Sequence, residues 1–254
     1  MSTRIVLDDD ASPAALTSGG LVVRCGPSEG AWERTVALAR AARGPVGVWS
    51  DRAPSAVEIA LAASAGVREL GLALHGARSE VHDWHAGEGA FDAAFGALTV
   101  ARAHGIAVAV ASAVTRSNAR VLIELPSLLK ASGVALWALA WPRAEGEAFT
   151  AKVPRLGLGV PAALSALERA RRIGLDARLV GVPSCVLGPF APLSLASPAR
   201  SFGARCEGCA ARASCAGVDA AYLTRFGEGE LRALVHAVSR APAPRLAELV
   251  ACFA

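Results

Sequence analysis

The stretch FDAAFGALTVARAHGIAVAVAS, residues 91–112, decides the fold class. Its first part, Phe91–His104, has apolar residues at helical spacing, and Gly105 follows where a helix C-terminus favours glycine. The next run, Ala107–Ser112, is short, apolar and valine-containing, as expected of a buried strand. A helix joined through glycine to a buried strand is half of a βα repeat, the unit of α/β proteins with parallel sheets.

The same alternation runs along most of the chain. The other predicted strands are Ile5–Asp8, Leu21–Arg24, Val46–Trp49, Glu69–Leu74 and Val134–Ala140, with a further candidate at Ala177–Gly181. The other predicted helices are Ala31–Ala42, Ser55–Ala65, Ala119–Ser132 and Ala162–Ile173. Because the crossovers between parallel strands are right-handed, two arrangements of the sheet are possible, an open doubly wound sheet or a barrel. We predict an α/β fold with a partial parallel (β/α) barrel of about six strands.

The residues after Gly181 have a different composition. Val182–Arg205 is rich in Pro and Ser, and a cysteine cluster and two predicted helices, Asp219–Val238 and Pro244–Phe253, follow it. We therefore predict two domains, a partial barrel over residues 1–181 and a small C-terminal cysteine-rich appendage over 182–254.

Composition and charge exclude several classes of protein. The mean hydropathy is +0.40, yet the longest apolar stretch, Val134–Trp141, is about half of the roughly 20 residues that a membrane span needs. The N-terminus reaches Asp8-Asp9-Asp10 before an apolar core develops, which is not a secretory signal. The net charge of +4 comes from scattered arginines rather than a basic patch interleaved with aromatic residues. We predict a cytoplasmic protein that binds neither membranes nor nucleic acid.

The strongest chemical signal is Cys206-x2-Cys209-x5-Cys215, with Cys185 upstream in Val-Pro-Ser-Cys. A C-x2-C pair on a turn directs two thiolates at one metal, and two further thiolates complete a zinc site or the corners of a 4Fe–4S cluster. In a reducing compartment such spacing indicates metal binding rather than disulfides. We predict that these four cysteines hold one metal centre, zinc or iron–sulfur, and that Cys252 is a packing residue.

Other motifs lie at predicted strand ends. They are Leu74-His75-Gly76-Ala77 with Glu80-x-His82-Asp83, and Val114-Thr115-Arg116-x-Asn118. The tail continues from Cys215 through Tyr222-x3-Phe226-Gly227-x2-Glu230-Leu231. In this order and spacing the motifs resemble the radical S-adenosylmethionine enzymes, over about residues 20–232. The tail resembles members with a SPASM-like auxiliary cluster, in which a Pro-x-Cys, here Pro183–Cys185, supplies a further ligand. The resemblance implies a partial barrel and a 4Fe–4S cluster.

The resemblance also implies a binding site for S-adenosylmethionine after the second strand. The segment Gly26-Pro27-Ser28-Glu29-Gly30 falls where the family has a Gly-Gly-Glu-Pro motif that holds the amino group of this cofactor. Gly26 and Glu29 are the matching residues, in altered spacing. Glu29 is equally well explained as an acidic residue near the start of the helix at Ala31, where the helix dipole favours it.

The chain departs from the family at the radical-forming site. The family needs C-x3-C-x2-C in the loop after the first strand, and residues Met1–Gly20 contain no cysteine. The same spacing read from Cys25 falls on Glu29 and Trp32. A shared fold does not imply an activity when the residues of its active site are missing. We therefore expect weak or absent S-adenosylmethionine binding and no radical formation by this chain.

Three functions follow as expectations. The first is a degenerate radical-enzyme relative that binds a substrate or partner, such as a peptide or a full-length radical enzyme that it supports. The second is a barrel enzyme with a metal held by His75, His82, Asp83 and His85, although these residues also fit a strand end and a solvated loop. The third is a structural adaptor stabilised by zinc at the four cysteines.

Overall fold

The computed structural model describes residues 4–12, 19–143, 152–195 and 201–253. Its strands are β1 Ile5–Asp8, β2 Leu21–Cys25, β3 Val46–Ser50, β4 Val67–Ala73, β5 Ala107–Ala113, β6 Leu136–Ala140, β7 Asp176–Val180 and β8 Ser194–Leu195. Its helices are α1 Ala31–Ala41, α2 Ala56–Ser64, α3 Ser79–Ala86, α4 Ala90–Ala103, α5 Leu125–Ala131, α6 Leu156–Arg172, α7 Ala220–Phe226 and α8 Ala247–Ala251. The alternation of strands and helices confirms the predicted α/β class.

The strands form one sheet in which hydrogen-bonded neighbours follow chain order from β1 to β8. Pairing is parallel from β1 through β5 and between β7 and β8. A doubly wound sheet reverses its strand order partway, so the observed order is that of a barrel-type sheet. The predicted number of about six strands is wrong, because the described residues alone form a sheet of eight.

The chain divides into two compact units, the first comprising residues 1–111, 129–136 and 245–253. In this unit α1 packs against β2, and α2 and α4 pack against β4. The short helix α8 contacts β3 and β4. Side chains alternate between the two faces of a strand, so Gly47, Trp49, Glu69 and Gly71 share one face, which we call the inner face.

The second unit comprises the described residues of 112–128 and 137–244. It holds most of β6, strands β7 and β8, helices α6 and α7, and the segment that carries the cysteine cluster. The structure does not set that segment apart as the small appendage predicted from composition. It lies in the same compact unit as three strands of the sheet, so a change in composition is not a change of domain here.

Candidate metal centre

The four predicted ligands come together in the second unit. Cys185 lies in a 3-10 turn after β7, Cys206 ends the turn Ala204–Cys206, and Cys215 follows the turn Arg212–Ser214. All four cysteines, including Cys209, line one pocket. We call it the cysteine pocket. Neither Cys25 nor Cys252 is among its lining residues in the described part of the chain.

Short-range backbone bonds fold the C-x2-C segment around the pocket. The amide of Cys209 donates to the Cys206 carbonyl at 3.3 Å, and the amide of Arg212 donates to the Cys209 carbonyl at 3.1 Å. Between them Gly208 has φ +68°, a left-handed conformation that favours glycine. The glycine therefore allows the turn that brings both thiols to the same pocket.

Backbone amides surround the sulfur atoms. Ser184 and Gly217 each donate an N–H to Cys215 Sγ at 3.3 Å, and Leu234 donates to Cys209 Sγ at 3.3 Å. Such donors stabilise a negatively charged sulfur, and hydrogen bonds to sulfur set the reduction potential of iron–sulfur clusters. Thiols with backbone amides directed at their sulfurs are the donor chemistry of thiolate-bound metal groups.

Burial favours the protonated form of two of the thiols, Cys185 and Cys206. Burial raises the pKa of Cys185, and the neighbouring thiols Cys215 and Cys206 raise it further. Burial likewise raises the pKa of Cys206. Binding must therefore displace protons that the buried thiols retain, which makes metal affinity pH-dependent. Among the described residues, no group of three or more His, Cys, Asp and Glu side chains is arranged so that it could hold a metal ion.

A polar cluster that the sequence did not reveal anchors the tail to helix α6. The Tyr222 hydroxyl accepts the Leu156 amide at 2.8 Å and donates to Glu230 Oε2 at 2.5 Å. Glu230 Oε1 accepts the Gly157 amide at 2.7 Å. Helix α6 has no side-chain cap from its own N-cap residue, Arg155, so the tail satisfies amides that the helix leaves unpaired. Tyr222 and Glu230 were part of the quoted tail motif, but nothing in the sequence indicated this role.

The residues implied for S-adenosylmethionine separate in the structure. Gly26 lines a pocket of about 700 Å³ at the carboxyl ends of β1, β2 and β3. Its amide donates to Asp9 at 2.8 Å, and Asp9 also pairs with Arg34 at 2.7 Å. Glu29 is exposed and outside the lining of this pocket, and its backbone carbonyl accepts from Arg34. Asp9, which the sequence analysis did not single out, thus organises this loop.

Three of the four residues of the alternative metal site lie close together. The ring centroid of His75 is 5.6 Å from that of His82 and 5.1 Å from that of His85. His82 is buried, and its Nδ1 accepts the His75 amide at 3.0 Å, which places the proton of the neutral ring on Nε2. Asp83 instead accepts the amides of Gly89 and Phe91 at 3.0 and 2.7 Å, at the start of α4. The Asp83 carboxylate therefore caps the N-terminus of α4.

The inner face of β3 and β4 is covered by residues 245–253, which we call the C-terminal segment. Leu249 and Val250 are fully buried, and a Cβ added to Gly47 would lie 3.1 Å from Leu249 Cδ2. Phe253 packs against Trp49 with ring centroids 5.4 Å apart. The glycines on the sheet therefore make room for the chain's own C-terminal segment.

A buried carboxylate anchors this segment. Glu69 is 1% exposed and accepts from Arg4 and from Arg245, the latter at 2.6 Å. Burial alone would raise the pKa of Glu69, but the hydrogen bonds and charges of Arg4 and Arg245 outweigh it and hold the pKa below its ordinary value. The ionised carboxylate is thus part of the folded first unit.

In the described part of the chain, no helix is long and apolar enough to cross a bilayer.

No protein-family model matches the chain, and no curated protein matches it. Among solved structures 48 chains match. One is the crystal structure of methylornithine synthase (PylB), with a TM-score of 0.50 and 12% sequence identity, and the match covers 64% of this chain and 50% of that chain. The chain thus aligns with half the length of the synthase, and at this identity the likeness shows the fold alone.

Proposed function

We propose that this chain is a degenerate radical-S-adenosylmethionine-like protein that holds an auxiliary, SPASM-like 4Fe–4S cluster and supports a full-length radical enzyme by binding it or its peptide substrate. One structural neighbour, methylornithine synthase, shares the fold of this chain, and the resemblance to the radical enzymes rests on the sequence motifs. Fold likeness does not transfer activity, so the role of this chain rests on its own residues. A cytoplasmic location, where thiols stay reduced, belongs to the same proposal.

The observation that carries the proposal is the convergence of Cys185, Cys206, Cys209 and Cys215 on one pocket. Sets of four cysteines hold zinc as well as 4Fe–4S clusters, and the resemblance of the tail motif to SPASM-like members is what favours the cluster. Zinc at the same thiols, the structural-adaptor alternative, remains an outcome of metal analysis.

A bound 4Fe–4S cluster supplies one-electron transfer, and cysteine thiolates are its usual ligands. Here Cys185, Cys206, Cys209 and Cys215 would hold one corner each. The amides of Ser184, Gly217 and Leu234 would stabilise the negative sulfurs. With every corner held by a thiolate, the cluster offers no open iron to an S-adenosylmethionine molecule.

The N-terminal part of the chain supports the proposal that this protein forms no radical. The residues after β1 are Asp9 and Asp10 rather than cysteines, and carboxylates are hard ligands, whereas iron–sulfur clusters prefer soft thiolates. Asp9 is engaged by Gly26 and Arg34. The inner face of β3 and β4, which a ligand entering this half of the sheet would contact, is covered by the C-terminal segment.

The metal-dependent barrel enzyme is the weaker alternative. Its carboxylate, Asp83, is committed to two amides at the start of α4. Its most buried imidazole, His82, accepts a backbone amide at Nδ1, and burial lowers its pKa. These partners account for the two residues as structural elements of helix α3 and its connections to β4 and α4.

The proposed absence of radical formation is tested with anaerobically purified protein that is reduced with dithionite in the presence of S-adenosylmethionine. We expect no 5′-deoxyadenosine above a protein-free control, and calorimetric S-adenosylmethionine binding weaker than about 10 μM, near −7 kcal/mol. A Cys215→Ala variant is the matched comparison. Steady formation of 5′-deoxyadenosine that disappears in this variant would make the C-terminal cluster catalytic and overturn the proposed role.

A further inference from the structure

Helix α3 presents an exposed tryptophan. Trp84 is 63% exposed, whereas His82 on the same helix is 2% exposed. The ring of His85 packs edge to face against that of Trp84, with the centroids 4.7 Å apart and an angle of 84° between the planes. Tryptophan is buried over most of its surface in most proteins, and it is enriched where proteins contact partners. An indole that is held in place and open to solvent is therefore a candidate contact residue.

The exposed side of this part of the chain is acidic. Residues 79–101, flanked by Arg78 and Arg102, contain four acidic residues and no Lys or Arg, although the whole chain carries a net charge of +4. Three of the four acidic residues are exposed: Glu80, Glu88 and Asp92. Glu80 lies four residues before Trp84 and therefore on the same face of α3. The indole thus lies in a negatively charged surrounding.

Hydrogen bonds hold the loop after α3 beside the helix. The Asp83 carboxylate accepts the Gly89 amide at 3.0 Å, and the Asp83 carbonyl accepts the Gly87 amide at 2.8 Å. Glu88 lies between these two anchored glycines, and Asp83 directly precedes Trp84. The backbone of Glu88 is therefore held close to the turn of α3 that carries Trp84.

We propose that the surface formed by Glu80, Trp84 and Glu88, which we call the α3 surface, binds a basic, arginine-containing peptide segment of a partner protein. A guanidinium stacks on the face of an indole and is attracted by its π electrons. The two carboxylates pair with basic side chains that flank this arginine. Charge complementarity selects the occupant, because an acidic segment is repelled and an uncharged one desolvates the carboxylates without compensation.

The inference goes beyond the proposed function. The α3 surface belongs to the first unit and the cysteine pocket to the second. Binding of a basic peptide at Trp84 needs no metal, so the two proposals stand on separate residues.

The binding test follows the fluorescence anisotropy of a labelled peptide of alternating Arg and Gly residues, added to the full chain. Trp84→Ala should raise the dissociation constant about five- to tenfold, because the cation–π contact is lost. Glu80→Gln with Glu88→Gln should raise it by a similar factor at low salt and weaken its salt dependence. The matched control, Glu33→Gln with Glu207→Gln, removes the same charge from two exposed carboxylates elsewhere and should bind within about twofold of the wild type.

Two controls accompany the binding data. Because Trp84 and both glutamates are exposed, the circular dichroism and thermal unfolding of the variants should match those of the wild type. Weaker binding then reports on the α3 surface rather than on misfolding. A labelled peptide of alternating Glu and Gly residues should not bind.

Wild-type protein that fails to bind the arginine peptide, or that binds it equally well after Trp84→Ala, would overturn the proposal. Sedimentation that shows self-association, abolished by Trp84→Ala, would assign the α3 surface to a second copy of this chain and would overturn it as well. The metal content of every preparation is measured in parallel. Failure of peptide binding and failure of the proposed cluster are therefore distinguishable.

Discussion

Leu249→Ala is the sharpest test of how the C-terminal segment is packed. Leu249 is fully buried against the inner face, where Gly47 and Gly71 have no side chains that could move into the vacated space. Core Leu→Ala substitutions cost about 2–5 kcal/mol, more where the cavity cannot collapse. We therefore expect a loss in the upper part of that range, about 3–5 kcal/mol, in the free energy of unfolding of the first unit.

Urea unfolding followed by circular dichroism measures this loss, and hydrogen exchange shows whether residues 245–253 open first. The matched control is Leu61→Ala on α2, where the leucine is 44% exposed and the expected change is within about 0.5 kcal/mol. Similar small effects of both substitutions, with unchanged exchange in the C-terminal segment, would refute the described packing.

The other predictions concern single interactions. Because the pKa of Glu69 is lowered in the folded state, its ion pairs with Arg4 and Arg245 stabilise the protein above the unfolded-state pKa, about 4.3. That stability is lost as the pH falls through the pKa of Glu69 in the folded state. In Glu69→Gln the free energy of unfolding should therefore fall less steeply as the pH is lowered below about 4.3. An unchanged pH dependence in this variant would disprove the linkage. Tyr222→Phe removes the hydroxyl that joins the start of α6 to the Glu230 carboxylate. The free energy of unfolding, measured with heat or urea, should fall by about 1–3 kcal/mol. A cost near zero would mean that the tail does not cap α6. Gly227 ends α7 with φ +67° and ψ −166°, and its substitution by alanine should lower the free energy of unfolding by at least about 1 kcal/mol. A neutral result would contradict the positive φ at this position.

Local patterns predicted the βα part of the fold well. Strand β5 spans Ala107–Ala113 against a predicted Ala107–Ser112, and α1 spans Ala31–Ala41 against a predicted Ala31–Ala42. Helical periodicity and closing glycines are local signals, and here the packing agrees with them. Strand β8 has two residues, which is too short for any periodic signal, and this accounts for part of the error in the strand count.

The tail was predicted poorly because tertiary contacts override its helical pattern. The prediction of one helix over Asp219–Val238 fails at Gly227, where α7 ends. Beyond it the backbone runs along the cysteine segment, where Ala210 donates to the Leu234 carbonyl at 2.9 Å and Ser214 donates to the Val238 carbonyl at 2.8 Å. These bonds join residues distant in sequence, and no local pattern encodes them.

The candidate metal centre was the part of the site most accessible from the sequence. Spacing alone identified Cys206, Cys209 and Cys215, and the structure brings Cys185 to the same pocket. The amides that donate to the sulfurs and the covering of the inner face depend on long-range packing. The interpretation of Asp83 as a metal ligand rested on proximity in sequence, and its bonds to Gly89 and Phe91 give it a structural partner instead.

The most direct test of the central claim is metal and sulfide analysis of anaerobically purified protein, for the wild type, Cys209→Ser and the matched control Cys252→Ser. Cys252 lies outside the lining of the cysteine pocket. We predict about four iron and four sulfide per chain in the wild type and the control, and a substantial loss of both in Cys209→Ser. One zinc per chain, or an iron content that Cys209→Ser leaves unchanged, would contradict the claim that these cysteines hold an iron–sulfur cluster.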